Sequence, residues 1–306
     1  MPLTQIFQKL LNRSRSHHRI SMEVRPDGIA WAVGGNSGEP GVGFIECTPA
    51  KRLGALQDFV AHRKLSGGKV ELVLPLDQYQ VFQLERPEGV EDTELADALK
   101  WKLRDVLEFS PSDSVSDVFP FPEDAARGRG ELVNVVAARR SLVAELVALV
   151  TDADLDLVGI DIAELALRNL VARLDGSGRG AALVHLRDRF GHMVICKGPT
   201  LYLSRRLDVI SDDLRDAARQ ESAVQSLALE VQRSLDYYES QLGQVPPPVV
   251  NLVARDTLLP LTSMLGGYLA ATARTVDWSV FGLDRDLDSR CLLAWSSSIG
   301  LPEDQQ

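Results

Sequence analysis

Gly180-Ala-Ala-Leu-Val-His-Leu-Arg-Asp-Arg-Phe-Gly-His-Met-Val-Ile-Cys-Lys-Gly-Pro-Thr-Leu-Tyr-Leu-Ser-Arg-Arg-Leu207 is the stretch whose reading decides the fold. It holds three short apolar runs, Ala182 to Leu186, His192 to Cys196 and Leu201 to Leu203. Arg187 to Gly191 and Lys197-Gly198-Pro199 separate them, and runs divided in this way read as strands joined by turns. The expectation is a three-stranded antiparallel meander.

A similar unit opens the body of the chain. Ile20 to Val24 and Ile29 to Val33 bracket Arg25-Pro26-Asp27-Gly28, whose proline and glycine favour a hairpin turn. Gly43 to Cys47 supplies a third strand, Arg52 to His62 a helix with Leu53, Leu56, Phe59 and Val60 at helical spacing, and Val70 to Leu74 a further strand. From Asp77 to Val150 the order is strand (Tyr79 to Leu84), helix (Asp92 to Phe109), two strands (Val115 to Phe119, Leu132 to Ala137) and helix (Ser141 to Val150). Pro120 to Gly130, rich in proline, glycine and charge, reads as an exposed loop. Leu157 to Ile162 is then a strand running into the apolar helix Ala163 to Leu174. After the meander, Leu207 to Gln241 reads as mostly helical, with Leu227, Val231, Leu235 and Tyr238 forming a core stripe. Pro246-Pro247-Pro248 stops that helix before the strand Val249 to Val253. A helix to Leu269, a strand from Thr275 to Trp278 and a final helix near Leu292 to Gly300 complete the order.

The meander, the helix carrying Leu229-Glu230-Val231-Gln232-Arg233-Ser234-Leu235-Asp236-Tyr237-Tyr238, and the segment Glu94-Leu95-Ala96-Asp97-Ala98-Leu99-Lys100-Trp101-Lys102 together resemble the PilM proteins of pilus assembly. PilM proteins are actin-like and related to the cell-division protein FtsA; the MshI branch is the nearest likeness. The resemblance implies a mixed α/β, actin-like (ribonuclease H-like) fold of two lobes with an FtsA/PilM-type inserted subdomain. It divides the chain into a flexible or amphipathic segment, 1–19; a first lobe of 20–76 with 155–175 and 285–306; an inserted subdomain, 77–154; and a second lobe, 176–284.

The nucleotide turns of that family are eroded here. Relatives carry Asp-Ile-Gly and small hydroxyl residues in both phosphate turns, because glycine lets backbone N–H groups approach a phosphate. The first turn reads Glu23-Val24-Arg25-Pro26-Asp27-Gly28, in which Pro26 lacks a donor and Arg25 replaces the glycine. The second holds His185, Leu186, Arg187, Asp188, Arg189 and Phe190, and the adenosine turn is Val253, Ala254, Arg255 and Asp256 rather than Ser-Gly-Gly. No cofactor or metal is therefore expected, and no catalytic residue. His185 and His192 face each other across the meander turn without an apparent third metal ligand. Motifs such as His-Glu-x-x-His, Cys-x-x-Cys, Gly-x-Ser-x-Gly and the Walker sequence are absent from the chain.

Composition bounds the alternatives. The formal charge is -10, with Lys plus Arg at 33 against Asp plus Glu at 43, which argues against a general nucleic-acid footprint. Cys47, Cys196 and Cys291 are widely spaced and sit in mostly apolar surroundings, which suits buried thiols in a reducing compartment. No apolar run approaches the ~18 to 20 residues needed to cross a bilayer. Leu3, Ile6, Phe7, Leu10 and Leu11 share one side of a possible helix, with Lys9, Arg13, Arg15 and Arg19 on or near it, a pattern compatible with weak contact to an anionic membrane surface.

The expectation is a cytoplasmic protein, peripheral at the inner membrane. By resemblance it is a non-catalytic scaffold of an MSHA-type type IV pilus machine that docks the cytoplasmic tail of a PilN-like inner-membrane protein. The groove would be walled by Tyr79, Phe82, Leu99, Trp101 and Leu103, with Trp101 as its anchor. A Trp101 packed inside the inserted lobe is the structural alternative. The competing functional reading is a divergent actin-like ATPase using Glu23 for Mg²⁺ and Arg25 or Arg187 for phosphate charge. A third is a relative of the eroded actin-like L protein of type II secretion.

Overall fold

Alternation along the first hairpin decides which side chains face the cleft. The computed structural model describes residues 18–34, 41–128, 130–255 and 260–302. The apolar stripe of residues 3–11 and the adenosine-turn residue Asp256 lie outside the described residues. Strand β1 (Arg19–Arg25) pairs antiparallel with β2 (Gly28–Val33), Glu23 lying opposite Ala30. Ile20, Met22 and Val24 point into one apolar core. The period of two therefore turns Ser21, Glu23 and Arg25 to the opposite face. A Cβ at Gly28 would stand 2.1 Å from the Ile45 carbonyl oxygen, so the turn between the two strands requires glycine.

Strand β3 (Gly41–Glu46) pairs with β2, and after helix α1 (Arg52–Arg63) strand β4 (Lys69–Leu74) joins β1 in parallel. The inserted segment comes next, with β5 (Tyr79–Glu85), α2 (Asp92–Leu103), β6 (Ser114–Pro120), β7 (Leu132–Arg139) and α3 (Arg140–Asp152). Its three strands form a separate antiparallel sheet in the order β5-β7-β6. Leu95, Leu99 and Leu103 of α2, four residues apart, pack on Val133, Val135 and Ala137 of β7. Strand β8 (Asp156–Ile162) then completes the first sheet, β3-β2-β1-β4-β8, with a register shift where Val158 bulges out of the edge.

The meander forms as expected: β9 (Ala181–Leu186), β10 (Gly191–Lys197) and β11 (Thr200–Leu207) pair antiparallel, with His185 opposite His192. Helices α5 (Ser211–Arg215) and α6 (Gln220–Ser240) follow, then β12 (Val249–Ala254), α7 (Leu261–Gly266) and β13 (Thr272–Thr275). The second sheet is ordered β11-β10-β9-β12-β13. Helix α4 (Ala163–Leu174) covers β9 to β11, while α8 (Leu292–Ser298) covers β1, β2 and β4. The two helices pack on each other, so one apolar cluster runs from Ala30 and Ala32 of the first sheet, through α8 and α4, to Leu183 and Val194 of the second. Alanines on β2 let α8 approach its sheet closely. Burying each larger side chain in such a cluster stabilises the fold by about 1.5–3 kcal/mol.

Three sequence expectations are corrected. Helix α2 ends at Leu103, not Phe109; the chain turns at once, with the Val106 N–H donating to the Leu103 carbonyl. The strand expected from Thr275 to Trp278 lies earlier, at Thr272–Thr275, because Asp277 caps a 3₁₀ turn from Trp278 to Phe281 by accepting the Ser279 N–H. The segment 120–130 is not a free surface loop: Phe121, Ala125 and Ala126 are buried in the core of the second lobe.

Candidate functional site

The cleft between the two hairpins is closed by ion pairs. Glu23 is 0 % exposed, and Arg187, from the turn after β9, donates to its Oε1 through Nη2. Arg25 Nη1 lies 3.7 Å from the same oxygen. Arg25 also reaches across to the second lobe, where Nη2 donates to Asp188 Oδ2 at 3.2 Å, while its Nε donates to Asp27 Oδ1 at 3.1 Å. Arg52 fixes the turn itself by donating to the Arg25 carbonyl at 2.6 Å. Burial alone would lower the Arg187 guanidinium, but Glu23 beside it outweighs that and holds it above its ordinary value. The Arg187 guanidinium therefore stays charged although it is buried. Glu23 Oε2 and Arg187 Nη1 have no hydrogen-bond partner.

The histidines are held neutral. His185 Nε2 sits 3.1 Å from the Ser289 carbonyl, which can only accept, so that nitrogen carries the proton. Burial, then Arg187 and Arg25, hold His185 well below its usual range, and burial followed by Arg187 takes His192 down to about 3. His192 Nε2 is engaged with Ser204 Oγ at 2.9 Å. Among the described residues no group of three or more His, Cys, Asp and Glu side chains is placed to hold a metal ion. Val253 is buried in the cluster shared by the lobes, and the Arg255 carbonyl accepts from Arg215 at 3.1 Å.

Little space remains among these groups. The cavity bordered by Arg25, His185, Arg187, Arg255 and Ser289 measures about 10 Å³, and its neighbour beside Pro26, Asp77, Gln78 and Phe190 about 200 Å³. Ligand pockets for organic molecules commonly span roughly 300–1,000 Å³.

A second concavity, of about 560 Å³, lies between the inserted sheet and β11, an edge strand of the second sheet. Phe82, Phe119, Leu201 and Leu203 supply apolar lining, and Glu164 and Arg206 the charge. Glu164 opens helix α4 and is almost wholly buried. Tyr79 donates to its Oε2, and Ser204 Oγ donates to its Oε1 at 3.2 Å. The Tyr79 oxygen also accepts the Ala163 N–H at 3.2 Å. Burial raises the Glu164 carboxyl above its ordinary range, and these hydrogen bonds offset only part of that. One buried carboxylate thus joins the inserted strand β5, helix α4 and strand β11.

The five residues expected to wall a groove are divided by the structure. Phe82 lines this concavity. Tyr79 is buried at its margin and held by Glu164. Leu99 and Leu103, both 0 % exposed, are core residues beneath α2 and present no surface. Trp101 is 67 % exposed on the outer side of α2, with Lys102 Nζ 5.8 Å from its ring centroid, and it is not among the residues lining the groove. It is not packed inside the inserted lobe either. Sequence reasoning missed Phe119, Leu203 and Glu164, although a glutamate set among the apolar residues that open the helix Ala163–Leu174 was a visible signal for the last.

No family model matches the chain, and no curated protein does. Among solved structures, it is similar to the PilM-PilN type IV pilus biogenesis complex, with a TM-score of 0.70 at 19% identity, covering 94% of this chain and 98% of that one. It is also similar to the cytoplasmic domain of EpsL, an inner membrane component of the type II secretion system of Vibrio cholerae. That match has a TM-score of 0.56 at 14% identity and covers 92% of this chain and 94% of that one. A Bacteroides thetaiotaomicron protein with an actin-like ATPase fold and unknown function gives 0.52 at 12% identity, covering 91% and 96%. The fold is actin-like. At these identities the likeness concerns the fold alone. Within an actin-like frame, the Glu23 and Arg187 turns are the paired hairpin turns that face each other across the cleft. Among the described residues no helix is long and apolar enough to cross a membrane.

Proposed function

We propose that this chain is a non-catalytic scaffold of a type IV pilus machine, of the MSHA type, and that it docks the cytoplasmic tail of a PilN-like inner-membrane protein. The observation that carries the non-catalytic reading is the Glu23–Arg187 pair, reinforced by Arg25–Asp188: side chains of the chain itself occupy the space between the hairpin turns. Phosphates placed there would have to break a buried ion pair, and Arg25 and Arg187 stand at the positions where relatives carry the glycine that would admit them. A nucleotide does not fit these residues as they stand. The docking reading rests on likeness to a chain from a PilM-PilN complex together with the groove at Phe82 and Leu203. An extended tail in that groove would find apolar walls and, in β11, a strand at the edge of its sheet.

One observation favours the second reading, a divergent ATP-binding protein. Glu23 Oε2 and Arg187 Nη1 are buried without partners, and a metal ion and a phosphate oxygen would satisfy them. Thermal unfolding with and without millimolar Mg-ATP separates the two. A ligand at ~100 times its dissociation constant stabilises by about 2.7 kcal/mol. The scaffold reading expects no shift. An upward shift that disappears in Glu23→Ala would establish the ATP-binding reading instead. For docking, Phe82→Ala and Leu203→Asp should each weaken retention of a PilN-like tail while Trp101→Ala leaves it unchanged; loss with Trp101→Ala alone would move the site to the outer face of α2.

A further inference from the structure

The segment that joins β6 to β7 leaves its own subdomain and is seated in the second lobe. Asn134 of β7 holds its start by donating to the Pro120 carbonyl at 2.9 Å. From there Phe121, Ala125 and Ala126 enter the apolar cluster built on β9 to β11 and α6. Polar contacts fix the seat. Asp124 accepts from the Tyr202 hydroxyl at 3.0 and 2.9 Å and from Gln244 Nε2 at 3.0 Å. Arg127 donates through Nη1 to the Ser240 carbonyl at the end of α6. Its guanidinium lies so near Gly243 that a Cβ there would stand 3.0 Å from Nε. Pro120 and Pro122 flank Phe121 and restrict the backbone before it is seated, which lowers the entropy lost on seating.

Lobes of a chain move relative to one another unless a substantial interface prevents it. Here the inserted subdomain is covalently part of the first lobe, yet its 121–127 segment is embedded in the second. We propose that residues 121–127 are an interlobe latch: they hold the second lobe at a fixed angle to the inserted subdomain and so keep the groove between β5 and β11 preformed. Phe121 both seats in the second lobe and lines that groove, so the latch and the groove wall are one element. The latch does not depend on what the groove binds.

The test is a distance distribution measured by electron–electron resonance between spin labels in Trp101→Cys, on α2 of the inserted subdomain, and Tyr268→Cys, between α7 and β13 of the second lobe. Both sites are exposed, at 67 % and 54 %. Cys47→Ser provides the background, because Cys196 and Cys291 are buried. The expected wild-type result is one narrow distribution. Asp124→Ala with Arg127→Ala removes the polar seat by changing two exposed side chains, and should add a broader component at longer distance while circular dichroism stays unchanged. Gln244→Ala, made from the other side of the contact, should reproduce part of that broadening, and the adjacent Glu123→Ala should not broaden it. An unchanged distribution in the double variant overturns the latch, as does a wild-type distribution that is already broad.

Discussion

Glu23 is a carboxylate taken wholly out of water, and it is tolerated because Arg187 and Arg25 bring opposite charge to it across the cleft. Nothing in the sequence links residues 164 positions apart, so this pairing was not legible there. The exchange of glycines for bulky charged residues in both turns was legible, and it is what makes the pair possible. The neighbouring histidines carry a pH prediction. His192 takes up a proton only at about 3 in the folded chain against 6.5 unfolded, so the unfolded state binds more protons between those values. Its contribution is complete above pH 6.5 and is lost as pH falls toward 3. Asp161 acts oppositely: burial raises it to about 6 from 3.8, so the folded state binds more protons in that window and gains stability as pH falls through it. Asp161→Asn should therefore lose Tm more steeply than wild type between pH 6 and 4, a window bounded by those same values. Parallel Tm curves would show that Asp161 has no such offsetting role.

At the scale of elements, strands and helices were readable where apolar residues alternate, recur at helical spacing or form short runs bounded by turns. The β1 alternation, the three meander strands and the Ala163–Leu174 helix fall where the residue pattern places them. Errors arose where composition and packing disagree. Segment 120–130 has the prolines, glycines and charges of a surface loop, yet three apolar side chains within it are buried by a different lobe. Leu107 continues the spacing of Leu95, Leu99 and Leu103, so periodicity extended α2 past its true end. That same spacing contains the answer for Trp101, because a residue two positions from Leu99 and Leu103 lies off their face. Leu99→Ala should destabilise by about 2–5 kcal/mol through lost burial and the cavity left behind. Trp101→Ala, at an exposed position, should change stability by no more than ~0.5 kcal/mol. Urea denaturation of the two variants compares them directly, and equal losses would mean that Trp101 is covered by something the chain itself provides.

On the scale of the molecule, the lobes are not independent bodies. The cluster that includes Ala30, Val73, Leu170, Leu183 and Trp295 takes residues from both sheets and from the two helices between them. The Glu23–Arg187 pair, the Tyr79–Glu164–Ser204 bonds and the 121–127 segment add further ties across the same boundary. Removing either lobe would expose the apolar faces of α4 and α8, so neither can remain folded while the other melts. Calorimetry should accordingly show one transition, with the calorimetric and van't Hoff enthalpies equal, although a chain of 306 residues is long enough for intermediates to be common. Glu23→Ala sharpens the test. It leaves Arg187 buried without its counter-charge, a change that typically costs about 3–5 kcal/mol. If the lobes are one cooperative unit, the whole transition moves to lower temperature and stays single, because the loss at the cleft is shared through the α4–α8 cluster. If that cluster does not couple them, the variant should split into two transitions, one for each sheet and its helices. Replacing both partners, Glu23→Leu with Arg187→Met, removes the charges together and should return most of the lost stability while keeping a single transition.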